Sequence, residues 1–227
     1  MVFRRREPST GLGAAPRLRI VRAGSLLLFS TAALIAAWSS GSASQTPAAE
    51  QLRPPKTFAS ITDQRQRSRA LYAEASRVLL HPRCVNCHPS DDTPWQGDAQ
   101  AVHEPPVSRG PADRGVPAMQ CSSCHQDHNM KYARVPGAPE WHVAPLKMAW
   151  LGRTPAQICA QIKDPSRNGG KTLEQLHEHM ASDALVGWAW APGSGRKPAP
   201  GTQKEFGALI RAWIETGAEC PTEEVSR

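Results

Sequence analysis

The amino-acid sequence predicts a mainly α-helical fold with extensive irregular loops. Three observations predict it. Apolar residues recur at helical spacing in residues 63–81 and again in the last third of the chain, and these runs carry clear start and stop residues. The stretches 89–120 and 126–153 are instead rich in Pro, Gly and Asp, with no long periodic run and no convincing strand. Beside those stretches stands one pattern that occurs twice, Cys84-Val85-Asn86-Cys87-His88 and Cys121-Ser122-Ser123-Cys124-His125.

Residues 1–43 read as a secretory signal. Arg4, Arg5, Arg6, Arg17, Arg19 and Arg22 form a basic region, residues 23–38 are uncharged and mostly apolar, and small residues ending at Ala43 follow. The apolar run is short for a membrane span, so cleavage after Ala43 is expected, with an uncleaved anchor as the alternative. Residues 44–62, rich in Ala, Pro, Gln and Ser, read as a flexible leader. The helix at 63–81 turns Leu71, Tyr72, Ala75, Val78 and Leu79 to one side and stops at Pro82.

Each pentapeptide reads C-x-x-C-H, the attachment signature of a c-type haem. Two thiols three positions apart add to the two vinyl groups of the porphyrin, and the adjacent His lies under the iron as proximal ligand. Cys84, Cys87, Cys121 and Cys124 are therefore the expected covalent attachments, and His88 and His125 the proximal ligands, of two c-type haems. A Cys₄ zinc site also uses two C-x-x-C pairs, but its usual separation is shorter than the 33 residues between Cys87 and Cys121, and it explains neither His. A thioredoxin-like pair would need a βαβ context, which is absent. The chain thus reads as a c-type cytochrome built around two covalent haems, whose apolar faces let a loop-rich polypeptide form a core.

Residues 63–153 form the haem-attachment region, and residues 154–227 a helical region of the same globular domain. Thr154, Pro155 and Gln157 mark one helix start. Thr172 with Gln175 marks a second, with Leu173, Leu176 and Met180 as its buried stripe. Thr202 with Glu205 marks a third, followed by Phe206, Leu209, Ile210, Trp213 and Ile214, with Gly217 suited to the C′ position. Cys159 and Cys220 are left after haem attachment. In an oxidising compartment they are expected to pair, which stabilises by roughly 4 kcal/mol in the chain-entropy view; two separate buried thiols are the alternative.

Charge argues against nucleic acid as a partner. Six Arg and one Glu in residues 1–43 contribute +5 of the chain's +7, so the exported chain carries +2 before the haem propionates are counted. No Gly-rich phosphate loop, flavin or molybdopterin signature is present. The expected role is periplasmic electron transfer without catalysis. A small dihaem peroxidase or oxidase, or a haem-based redox or gas sensor, is the alternative, and an open sixth iron position would distinguish them.

The sixth ligands stay open on the residues alone. The candidates are His81, His103, His128, His142, His177, His179, Met119, Met130, Met148 and Met180. His103 has loop enough to cross over the first haem. Met148 lies in a Pro-flanked loop that resembles the Met loop of small monohaem cytochromes. Helical angles place His177 slightly closer than His179 to the buried stripe.

The run Arg83-Cys84-Val85-Asn86-Cys87-His88-Pro89, then Arg109-Gly110-Pro111, the second motif, Pro136-Gly137-Ala138-Pro139-Glu140-Trp141, Met148-Ala149-Trp150, residues 164–170, His179-Met180 and residues 185–190 resembles a family of small exported dihaem cytochromes labelled isoquinoline 1-oxidoreductase subunits. The resemblance covers residues 70–221. It implies redox partner proteins, among them a molybdenum-dependent hydroxylase or dehydrogenase whose electrons pass to the respiratory chain. It also implies a His in the inter-motif loop, matched by His103, and a His-Met pair, matched by His179-Met180. On that basis His179 stands above His177, giving His103 to the first haem and His179 to the second, with Met148 as runner-up for the second.

Overall fold

The computed structural model describes residues 50–193 and 195–222, so the export signal at 1–43 and the first part of the leader lie outside the described residues. Helix α1 (Gln64–Leu79) starts at Asp63, whose carboxylate accepts from the Gln66 N–H at 2.7 Å. It buries Leu71, Tyr72, Ala75, Val78 and Leu79, the side that periodicity marks out. The next helical turn, α2 (Pro82–Val85), opens on a proline and carries Cys84.

The C-terminal helices follow their caps. Helix α3 (Pro155–Lys163) and helix α4 (Leu173–Ser182) each begin with a reciprocal capping box, Thr154 with Gln157 and Thr172 with Gln175. After α5 (Ala184–Gly187) and a 3₁₀ turn (Trp188–Trp190) comes α6 (Gln203–Glu215). Its Thr202 hydroxyl accepts from the Glu205 N–H at 3.2 Å, while the Glu205 carboxylate accepts from that hydroxyl rather than from the backbone, so this cap is only half a box. Gly217 follows the helix with φ +106°, a conformation that favours glycine.

Helix α6 is the centre of the core, packed by α1 on one side and α4 on another. Trp213 and Tyr72 meet at 5.0 Å between ring centres. A Cβ at Gly207 would lie 2.6 Å from the Ala181 Cβ, so glycine is what lets α4 approach α6 this closely. One hydrophobic cluster takes residues from α1, α2, α3, α4 and α6, so residues 63–153 and 154–222 share a core. A disulfide joins Cys159 of α3 to Cys220 beyond α6.

Two features differ from the sequence reading. Residues 50–62 are not a free leader. Pro55–Phe58 form a 3₁₀ turn, Leu52 and Phe58 are buried in the core, and Arg53 binds the Glu74 carboxylate of α1 at 2.6 Å. The composition that suggested a loose segment hides two apolar anchors among prolines. The irregular region also holds two antiparallel ribbons, β1 (Trp95–Gln96) with β2 (Ala101–Val102) and β3 (Gly115–Val116) with β4 (Met119–Gln120). Strands of two residues are too short to leave a period in the sequence. No helix among the described residues is long and apolar enough to cross a membrane.

Candidate haem-attachment site

Both pentapeptides fold into a single turn. The His88 N–H donates to the Cys84 carbonyl at 3.1 Å, and the His125 N–H donates to the Cys121 carbonyl at 2.9 Å. Positions i, i+3 and i+4 of such a turn share a face, so each motif's two Cys and its His are set on one side of the turn.

The two imidazoles are held by the same pair of contacts. His88 Nδ1 donates to the Met148 carbonyl at 2.7 Å, and its ring stacks on Trp150 at 3.5 Å, 6° from parallel. His125 Nδ1 donates to the Pro136 carbonyl at 2.7 Å, and its ring stacks on Trp141 at 4.5 Å, 7° from parallel. A carbonyl can only accept, so Nδ1 carries the proton and Nε2 keeps its lone pair, the tautomer that binds a metal. Burial pushes the His88 imidazole down to about 4, against the Met148 carbonyl and helped by the charges of His179, Arg109 and His142. Burial also lowers His125, opposed by the Pro136 carbonyl and helped by His103 and Arg196. Both rings are therefore neutral at pH 7.

Glycine is needed where the second carbonyl is placed. A Cβ at Gly137 would lie 2.3 Å from the carbonyl oxygens of both Gln126 and His128. The Gly137 N–H also donates to the Asn129 side chain at 3.0 Å, which fixes the loop whose Pro136 carbonyl meets His125.

The remaining histidines sort by the same logic. His103 Nδ1 donates to the Pro105 carbonyl at 2.9 Å, His142 Nδ1 to the Glu140 carbonyl at 2.5 Å, and His179 Nδ1 lies 3.3 Å from the Asp183 carboxylate. All three leave Nε2 for a metal. His81 Nδ1 instead accepts from the Arg83 N–H, and His177 Nδ1 accepts from the Arg211 guanidinium at 2.9 Å. Their protons then sit on Nε2, which removes it as a ligand. His128 is exposed beside the second motif.

Two placements differ from the sequence reading. His103 stands at 5.9 Å, ring centre to ring centre, from His125 of the second motif. The β1–β2 ribbon takes up the chain that seemed free to cross over the first haem, and the His103 N–H is tied to the Pro94 carbonyl at 3.1 Å. His179 acts electrostatically on His88, not on His125. Met148 serves the first motif through its carbonyl, while its side chain is buried in the core at 7% exposure. Met148 therefore meets the first motif, and through its backbone rather than its sulfur.

The thiols of Cys84 and Cys87 are raised by burial to about 12 and about 11, and Cys121 also rises through burial. Cys121 lies close enough to Cys87 to act on it electrostatically, which makes the two motifs neighbours. No group of three or more His, Cys, Asp or Glu side chains that could hold a metal ion comes together among the described residues, so the four thiols do not converge as a Cys₄ site requires. No protein-family model, curated protein or solved structure matches the chain. The chemistry of the site accordingly rests on its own residues.

Those residues fit haem c. Two imidazoles sharing one iron, each bound at about 2 Å through a ring nitrogen, hold their ring centres roughly 6 Å apart. His103 and His125 show that separation with both Nδ1 atoms turned away to carbonyls. Reading the motifs alone finds His88 and His125 but not their carbonyl and Trp partners, which come from 11 to 62 residues away.

Proposed function

We propose that the chain is an exported, periplasmic dihaem c-type cytochrome that carries electrons. Cys84 and Cys87 hold one haem with His88 as proximal ligand, and Cys121 and Cys124 hold the other with His125. One observation carries the reading: both motif histidines are fixed in the Nδ1–H tautomer by a backbone carbonyl and backed by a parallel Trp. A disulfide reading does not call for that duplicated arrangement, and a Cys₄ zinc site would use neither His.

His103 would hold the second haem together with His125, and His179 the first together with His88, whereas the sequence reading assigns His103 to the first and His179 to the second. The 5.9 Å separation from His125 supports His103, and the Asp183 carboxylate behind His179 gives it the orientation expected of a ligand. Haem, when bound, supplies a one-electron couple at each iron. The chain's own contribution is to hold oriented imidazoles whose Nε2 atoms would serve each iron, an arrangement suited to electron transfer. The resemblance of its motifs to dihaem oxidoreductase subunits supports a molybdenum-dependent hydroxylase or dehydrogenase as electron donor and the respiratory chain as acceptor.

Optical spectroscopy with reductive titration tests the proposal. Two low-spin haems, two electrons taken up per chain and no turnover of hydrogen peroxide are expected. A high-spin haem that binds carbon monoxide and consumes peroxide would instead establish an enzyme or sensor.

A further inference from the structure

A cavity of about 150 Å³ opens beside the second motif, lined by Lys131, Arg134 and Arg196 together with Asn129 and Gly193. Its charge is unbalanced. Among the described residues, none of the three cations forms a salt bridge; Arg196 donates only to the Pro192 and Arg134 carbonyls. The acid within electrostatic reach of Arg196 is Asp98, and that carboxylate is taken by Arg83. Arg83 and Arg134 oppose the charge on Arg196 further. Three like charges gathered around one hollow are unfavourable without an anion to face them.

The local backbone makes room for this arrangement. A Cβ at Gly195 would lie 2.7 Å from the Arg134 guanidinium, and a Cβ at Gly193 would press on the Asn129 side chain at 3.3 Å. Asn129 is held on three sides, by the Trp188 indole N–H at 2.9 Å, the Gly137 N–H at 3.0 Å and the Ala191 carbonyl at 2.8 Å. The residue that floors the cavity thus also fixes the loop whose Pro136 carbonyl positions His125. A hollow of this size admits a carboxylate or phosphate group.

We propose that Lys131, Arg134 and Arg196 form an anion-binding site that receives a propionate carboxylate of the second haem. This rests on the reading of Cys121–His125 as a haem site. Arginine suits the role because its planar fork pairs with a carboxylate through two parallel hydrogen bonds. The site would neutralise the propionate and favour the reduced, less positive iron. A free phosphate or sulfate shares the same anionic chemistry and is separated by the test.

The test is redox titration of the holo-protein carrying Arg134→Gln with Arg196→Gln, alongside a haem count. At a fixed potential the ratio of reduced to oxidised second haem should fall about tenfold, equivalent to about 59 mV for a one-electron couple. The first haem should change less than about twofold. Arg134→Lys with Arg196→Lys keeps the charge and should restore most of the ratio. Two haems per chain with both potentials unmoved in the Gln variant would overturn the propionate site while leaving the cytochrome reading intact. So would calorimetric phosphate binding to wild-type holo-protein that the Gln variant abolishes without a change in potential. A wild-type chain with no haem would overturn both readings.

Discussion

His88 and His125 show how much a single hydrogen bond decides. The Met148 and Pro136 carbonyls choose the tautomer, and the tautomer decides whether the ring can bind iron. The same rule separates His179 from His177, two residues apart on α4. Asp183 faces Nδ1 of the first, and Arg211 donates to Nδ1 of the second. With Cys84→Ala and Cys87→Ala leaving only the second haem, His103→Ala should turn it high-spin and His179→Ala should leave it unchanged. In the complementary Cys121→Ala, Cys124→Ala protein the responses should exchange. A high-spin signal from His142→Ala in the one-haem protein that keeps the first site would move the assignment there from His179 to His142. Gly137→Ala would force its Cβ onto the Gln126 and His128 carbonyls and displace Pro136. Loss of that hydrogen bond makes the His125 imidazole less basic, so the potential of the second haem should rise while the first stays put.

At the scale of elements, the helices carry stability and the loops carry the site. Helices α1, α3, α4 and α6 were legible because each has a periodic apolar side, with Pro82 marking the end of the first and Thr154, Thr172 and Thr202 the starts of the others. The loops were not legible in the same way. What fixes residues 126–150 is a set of distant contacts, such as the Asn129 side chain with Trp188 and the Arg109 guanidinium with the Ala144 carbonyl, and these leave no period behind. Loop length alone sets His103 over the first motif and misses this, since a two-residue ribbon takes up chain that composition leaves free. The Cys159–Cys220 bond closes a 61-residue separation between α3 and the segment after α6. Replacing both with Ala should lower unfolding free energy in urea by about 4 kcal/mol while the haem count stays at two.

Over the described residues as a whole, the core is centred on α6, and the segment at 50–62 is tied to it by a buried carboxylate. Glu74 is 2% exposed; its burial raises its pKa, but the Arg53 backbone N–H and side chain and the Arg77 guanidinium overcome this and hold it below the ordinary 4.5. A carboxyl lowered by folding adds stability above its unfolded pKa, and that stability is lost as pH falls through the folded value. Glu74→Gln should therefore cost about 2 kcal/mol at pH 7 in a denaturant titration, a modest figure because Arg53 is largely in water. The difference from wild type should shrink steadily below about pH 4.5.

The central claim is two thioether-bound haems on one exported chain, and the pyridine haemochrome content of the acid-denatured, dialysed protein tests it most directly. Covalent haem survives denaturation, so two haems per chain are expected, falling to one in the Cys121→Ala, Cys124→Ala protein. Haem that washes away on denaturation, or zinc bound in its place, would contradict the account.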